Sequence, residues 1–100
     1  MRWYLILGSD RPGTLAARLQ ARSAHLERLH ALQAEGRLKL AGPLPAVDAV
    51  DPGDAGFTGS AMVVAFDTIE EARSWAAADP YAAAGVFDSI AVFPFKPVLP

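Results

Sequence analysis

The segment from Ser60 to Phe66 has no polar face. Read as a strand, it sends Met62, Val64 and Phe66 to one side and Ala61, Val63 and Ala65 to the other. Two more segments share this property. Trp3, Leu5 and Leu7 alternate with Tyr4 and Ile6, and Phe87, Ala91, Phe93 and Phe95 alternate with Ile90 and Val92. A sheet made of such strands needs cover on both faces. Helices of the same chain can cover one. The other would be an exposed apolar patch of the kind that marks interfaces. A second copy of the chain packed sheet to sheet is the simplest cover, so a homodimer through the sheet face is expected. The alternative is that the tail and a long loop fold across it.

The remaining pattern fixes the order of elements. Trp3 to Leu7 reads as a strand ended by Gly8-Ser9-Asp10. Pro12 to Glu35 is rich in Ala, Leu, Arg, Gln and Glu and reads as one long helix stopped by Gly36. Leu38 to Ala41 is a short strand ended by Gly42-Pro43. Residues 43–58 show no periodicity and read as a loop, long enough to suggest a lid. After the third strand, Thr68-Ile-Glu-Glu71 matches a capping box, and the helix it opens runs to about Ala78. Asp79-Pro80 breaks it, and Tyr81 to Ala84 suits one more turn. Val86 to Phe95 is the last strand, whose Pro94 favours an edge position. The order β-α-β-β-α-β predicts an α+β, ferredoxin-like fold, with two helices on one face of a four-stranded antiparallel sheet. The chain, residues 1–100, is read as a single domain.

Several functions are disfavoured by composition. Nine Lys and Arg stand against eleven Asp and Glu, which argues against a nucleic-acid partner. There is no cysteine, hence no disulfide, thiolate metal site or cysteine nucleophile. The opening apolar run is too short for a secretory leader, and no run approaches a membrane span, so a cytoplasmic chain without a membrane partner is expected. Asp48, Asp51 and Asp54 lack the alternation of a calcium loop and read as turn formers. Gly53, Gly56 and Gly59 form no phosphate loop. Neither a metal nor a cofactor is expected.

On a helical wheel, Leu15, Leu19, Leu26 and Leu29 cluster on one side of the long helix, with Arg22 among them and His25 at the edge. His30 lies near the other edge, and two histidines five apart are poorly placed to share a metal. A guanidinium inside an apolar stripe needs an anionic partner or a cavity, unless it snorkels to a strand end. His25 alone is equally compatible with a hydrogen-bonded, half-buried structural role. Asp79 before Pro80 suits a helix N-cap, which leaves one carboxylate oxygen free for another partner.

Larger motifs carry a resemblance. Arg22-Ser-Ala-His25-Leu, Glu35-Gly-Arg-Leu, Ala41-Gly-Pro43 and Asp51-Pro-Gly-Asp-Ala-Gly-Phe-Thr-Gly-Ser60 together resemble the YciI-like (YCII-related) family. So do Ala78-Asp-Pro-Tyr81, Ala83-Ala-Gly-Val86 and Val92-Phe-Pro-Phe95, and the matches run in order along nearly the whole chain. The resemblance implies a fold of the dimeric α/β-barrel type and an active site centred on His25 and Asp79. Arg22 and Ser60 stand at positions that the family's motifs also feature. It points towards a lyase or isomerase acting on a small molecule.

The expected chemistry is proton abstraction next to a carbonyl, leading to isomerisation or elimination. Asp79 would fix the tautomer of His25, which acts as the base. Arg22 would stabilise an oxyanion and Ser60 would orient the substrate. Phe57 and Tyr81 would line the site. The alternative is a non-catalytic small-ligand-binding or interaction domain, with the His–Asp pair structural and sealed by Leu29 and Trp75.

Overall fold

The computed structural model describes residues 1–100. Four strands and three α-helices alternate as β1 (Arg2–Asp10), α1 (Leu15–Ala34), β2 (Leu38–Pro45), β3 (Phe57–Phe66), α2 (Ile69–Ala77), α3 (Pro80–Ala83) and β4 (Phe87–Phe95). The strands form one antiparallel sheet in the order β2-β3-β1-β4. The expected ferredoxin-like arrangement is present. Prolines fall on the two edge strands, Pro43 on β2 and Pro94 on β4, where a missing N–H costs least.

Local chemistry sets the helix ends. Gly36, at φ 71°, closes α1: its N–H donates to the Gln33 carbonyl, and the Arg37 N–H donates to the Leu32 carbonyl. That double bond pattern needs a left-handed residue, which glycine adopts without strain. At the start of α2, Thr68 Oγ1 accepts from the Glu71 N–H at 3.2 Å. The Glu71 carboxylate reaches back to the Asp67 N–H at 3.3 Å, one residue before the cap.

Tyr4, Ile6, Met62, Val64 and Phe66 of the sheet pack against Leu29, Leu32, Ala72 and Ala76 of the helices and form the main core. The opposite face is also apolar. Register places Leu40, Val63, Leu5 and Phe93 in one row across all four strands. Leu40 is 64% exposed and Phe93 48% exposed in the single chain.

The structure corrects three expectations. β1 continues through Gly8-Ser9 to Asp10, because Gly8 and Ser9 pair with both neighbours and Asp10 still pairs with β4. Residues 43–58 are not a structureless loop: β2 runs to Pro45, a 3-10 turn spans Gly53–Ala55, and β3 begins at Phe57. The Asp51 carboxylate accepts from the Gly53 N–H at 3.1 Å, the turn-forming role expected of it. Finally, Phe87 does not share a face with Ala91. Ser9 pairs with Ser89 but Asp10 pairs with Phe87, so one extra residue in β4 turns Phe87 to the helix side. There it packs on Val86 and edge-on to Tyr81.

That shift depends on Gly8. A Cβ at Gly8 would lie 2.5 Å from the Phe87 ring, and one at Gly59 would lie 2.1 Å from the Gly8 carbonyl oxygen. Gly8→Ala should destabilise the chain by about 1–3 kcal/mol in urea unfolding, as overpacking usually does. Gly59→Ala should cost more, because the obstacle is backbone. Equal stability of Gly8→Ala and wild type would disprove the close packing.

Candidate active site

Helix α1 buries Arg18, His25, Leu29 and Leu32. Those positions follow the helical repeat, so one stripe faces the sheet. Its C-terminal half is apolar and its N-terminal half is polar. The polar half meets two acids supplied from opposite ends of the chain.

The first is Asp79. Its position before Pro80 makes it the N-cap of α3, where Oδ1 accepts from the Tyr81 N–H at 2.8 Å. Both of its oxygens also lie 2.9 Å from Nδ1 of His25. The pair is buried, with side chains 7% and 2% exposed. Capping and holding the imidazole are therefore one arrangement, as the free oxygen of a cap allows. With Asp79 accepting at Nδ1, that nitrogen carries a proton, and Nε2 is the ring nitrogen left for another partner. Nε2 has no protein partner and is not sealed, since Arg28 Nη1 is the only fully buried side-chain N or O without one.

The second acid is Asp10, at the end of β1. Arg18 donates from Nε and Nη2 to its two oxygens, each at 2.8 Å, and from Nη2 to Ser60 Oγ at 3.0 Å. Both side chains of the pair are only 4% exposed. Arg18 also lies over the Tyr81 ring at 4.5 Å and the Phe57 ring at 5.5 Å.

Between these pairs opens a cleft of about 240 Å³. Arg18, Arg22, His25 and Ser60 supply its polar wall. Leu19, Leu26 and Leu29 of α1, Phe57 of β3, Tyr81 of α3 and the Ala41–Pro43 stretch of β2 complete it. The six residues expected at the site thus converge, although Asp79 stands behind His25 rather than on the wall. Arg22 is exposed and makes no ion pair or side-chain hydrogen bond. Leu29 borders the cleft without closing it. Trp75 lies elsewhere, under Arg28 at 4.4 Å and beside Phe66. Arg28 donates to the Trp75 carbonyl, and burial lowers its pKa against the pull of Asp79. His30 is exposed beside Gln33.

Sequence reasoning missed Arg18 and Asp10. One signal was present: Arg18 lies one turn before Arg22 and two before His25, on the same stripe.

Tyr81 organises the floor. Its ring stacks on His25 with centroids 4.0 Å apart and planes at 15°. Burial pushes its phenol above the ordinary 10.0, against the pull of the Arg18 and Arg22 cations.

A four-stranded α+β sandwich carrying a buried His–Asp pair beside an open cleft is the class that fold and site define. The chain matches the YCII-related domain family over residues 2–96, and it belongs to that family. It is 54% identical over 95 residues to protein YciI of Escherichia coli, covering 95% of this chain and 97% of that one. An uncharacterized protein of Haemophilus influenzae is 50% identical over 96 residues, 96% of this chain and 98% of that one. Among solved structures, 5-chloro-2-hydroxyhydroquinone dehydrochlorinase (TftG) of Burkholderia phenoliruptrix, in complex with 2,5-dihydroxybenzoquinone, superposes with a TM-score of 0.81. It is 30% identical, over 94% of this chain and 93% of that one, and shares the dimeric α/β-barrel type of fold. No helix of the structure is long and apolar enough to cross a membrane.

The Tyr81 environment sets a pH dependence. Below the unfolded value of 10.0 the phenol is neutral in both states. Above it the unfolded chain ionises first, so the stability linked to Tyr81 is lost as pH rises through the higher folded value. Urea unfolding between pH 9 and about 11 should show a decline that is shallower in Tyr81→Phe. An equal decline in both proteins would refute the burial effect.

Proposed function

We propose that this chain is a single-domain small-molecule enzyme in which His25 removes a proton from a carbon next to a carbonyl. The observation that carries the reading is the His25–Asp79 contact at 2.9 Å, which leaves Nε2 free at the edge of an open cleft. Asp79 holds the ring and offsets the positive charge it gains. The C–H electron pair moves towards the carbonyl oxygen to give an enolate, stabilised by the unpaired Arg22 guanidinium. Return of the proton to another carbon completes an isomerisation. Departure of a neighbouring group with its bonding electrons completes an elimination, and the imidazolium then releases the proton.

TftG, by its name a dehydrochlorinase, favours elimination from an oxygenated ring. The mostly apolar walls suit such a flat ligand. The openness of the cleft favours this reading over a sealed structural pair, since a catalytic histidine needs substrate access.

Small cyclic hydroxycarbonyl compounds incubated in D₂O should take up deuterium with the wild-type chain, followed by NMR. His25→Asn should slow exchange by at least about a hundredfold, the usual scale of general-base catalysis. Asp79→Asn should also slow it, through loss of the tautomer. Exchange at the wild-type rate in His25→Asn would sink the proposal.

We further propose that the chain works as a homodimer closed through the open sheet face. Its support is the row Leu40, Val63, Leu5 and Phe93, which is apolar from edge to edge. Light scattering should give the mass of two chains, and Phe93→Glu should give one. Phe93 is 48% exposed in the single chain, so this change spares the core. A wild-type monomer at micromolar concentration would overturn the dimer.

A further inference from the structure

The proposed proton transfer makes no use of Asp10 or Arg18, yet both side chains are buried, and Arg18 lines the cleft with Asp10 paired to it. A buried ion pair is weak evidence for stability, because desolvation offsets most of its attraction. The hydrogen-bond geometry gives this pair a more specific consequence. Two N–H groups of Arg18 are taken by Asp10, and a further Nη2 hydrogen points at Ser60 Oγ, 3.0 Å away.

A guanidinium only donates, so Ser60 Oγ is the acceptor in that contact. Its own proton must point elsewhere. No protein group accepts it, and Ser60 lines the cleft together with Arg22 and His25. A hydroxyl whose oxygen already accepts from a cation becomes a stronger donor, since such bonds polarise one another.

We propose that Ser60 is the oxyanion donor of this cleft, and that the Asp10–Arg18 pair is a positioning device acting through it. The ligand class follows: a small molecule that presents an anionic oxygen, of the enolate or phenolate kind, to Ser60 Oγ. This rests on the cleft being the small-molecule site. Charge places the residues in distinct roles. Asp10 compensates Arg18, so Arg18 contributes direction rather than net charge. The long-range attraction comes from Arg22, which has no partner. Tyr81 and Phe57, lying against the Arg18 guanidinium, keep its plane fixed.

The test is binding of 4-nitrophenol, whose phenol and phenolate differ in colour. The wild-type chain should bind the phenolate in preference to the phenol, so that bound probe is more ionised than free probe at the same pH. Ser60→Ala should lower that preference by about ten- to a hundredfold, the range for hydrogen bonds to charged groups. Arg18→Lys should lower it similarly, because an ammonium cannot hold the two-pronged contact with Asp10 and also serve Ser60. In a Ser60→Ala background, Arg18→Lys should add nothing further. A merely structural Arg18 would give the same loss in both backgrounds.

Circular dichroism melts establish that each variant folds. Should Arg18→Lys not fold, Ser60→Ala decides the assignment alone. A wild-type chain that leaves the nitrophenol spectrum unchanged, or a Ser60→Ala variant with undiminished preference, overturns it. Proton exchange that does not need His25 would overturn the catalytic reading while leaving the binding result intact. The two readings therefore fail separately.

Discussion

Helix α1 docks on its sheet by two different means, and the cleft exists because of the difference. Leu29 and Leu32 bury their side chains against Tyr4, Ile6 and Met62, in the ordinary manner of a core. One and three turns before Leu29 the same stripe carries His25 and Arg18, and these meet Asp79 and Asp10. Apolar packing closes a gap, whereas paired polar groups hold a set distance. Hydrogen bonds to Asp10, Ser60 and Asp79 therefore fix how the buried stripe in the N-terminal half of α1 sits beside the cleft. The free energy that keeps α1 in place comes mainly from the leucines, since buried ion pairs add little net stability. What the polar contacts fix is position.

Much of this was legible in the sequence. Period and punctuation were enough for the element order, because Gly36, the Thr68 cap and Asp79-Pro80 act through local backbone chemistry. Strand limits were less legible. Gly8-Ser9 reads as a stop, but pairing on both sides carries β1 through it. Phe87 followed simple alternation on paper, and a single extra residue in β4 reversed its face. Such a shift depends on tertiary contact, here with the bare backbone of Gly8.

The site divides in the same way. His25 and Asp79 are 54 residues apart, and no local rule joins them. Their association was expected from the family's motifs, and the distance agrees. Ser60, Phe57 and Tyr81 likewise came from motif positions and from the apolar wall a ligand needs. Arg18 and Asp10 escaped notice because each has a bland explanation in isolation, as a helix-surface cation and a turn acid. Only the return of β1 beneath α1 makes them a pair.

The charges around the cleft have a further consequence for the proposed reaction. Asp10 and Arg18 cancel, and the neutral, buried phenol of Tyr81 separates that pair from His25 without adding charge. Among the residues lining the cleft, Arg22 is the one cation without an ion-pair partner. In the proposed transfer, His25 would become cationic beside Asp79 while the ligand oxygen became anionic near Arg22 and Ser60. Each new charge then forms beside a group of opposite sign, or a fixed dipole, already in place. Such preorganisation lowers a barrier because nothing has to reorient while the charge develops. It also accounts for a stacked tyrosine under the histidine. An aromatic face attracts the imidazolium more than the neutral ring. Tyr81 thus favours the protonated product of the proposed transfer.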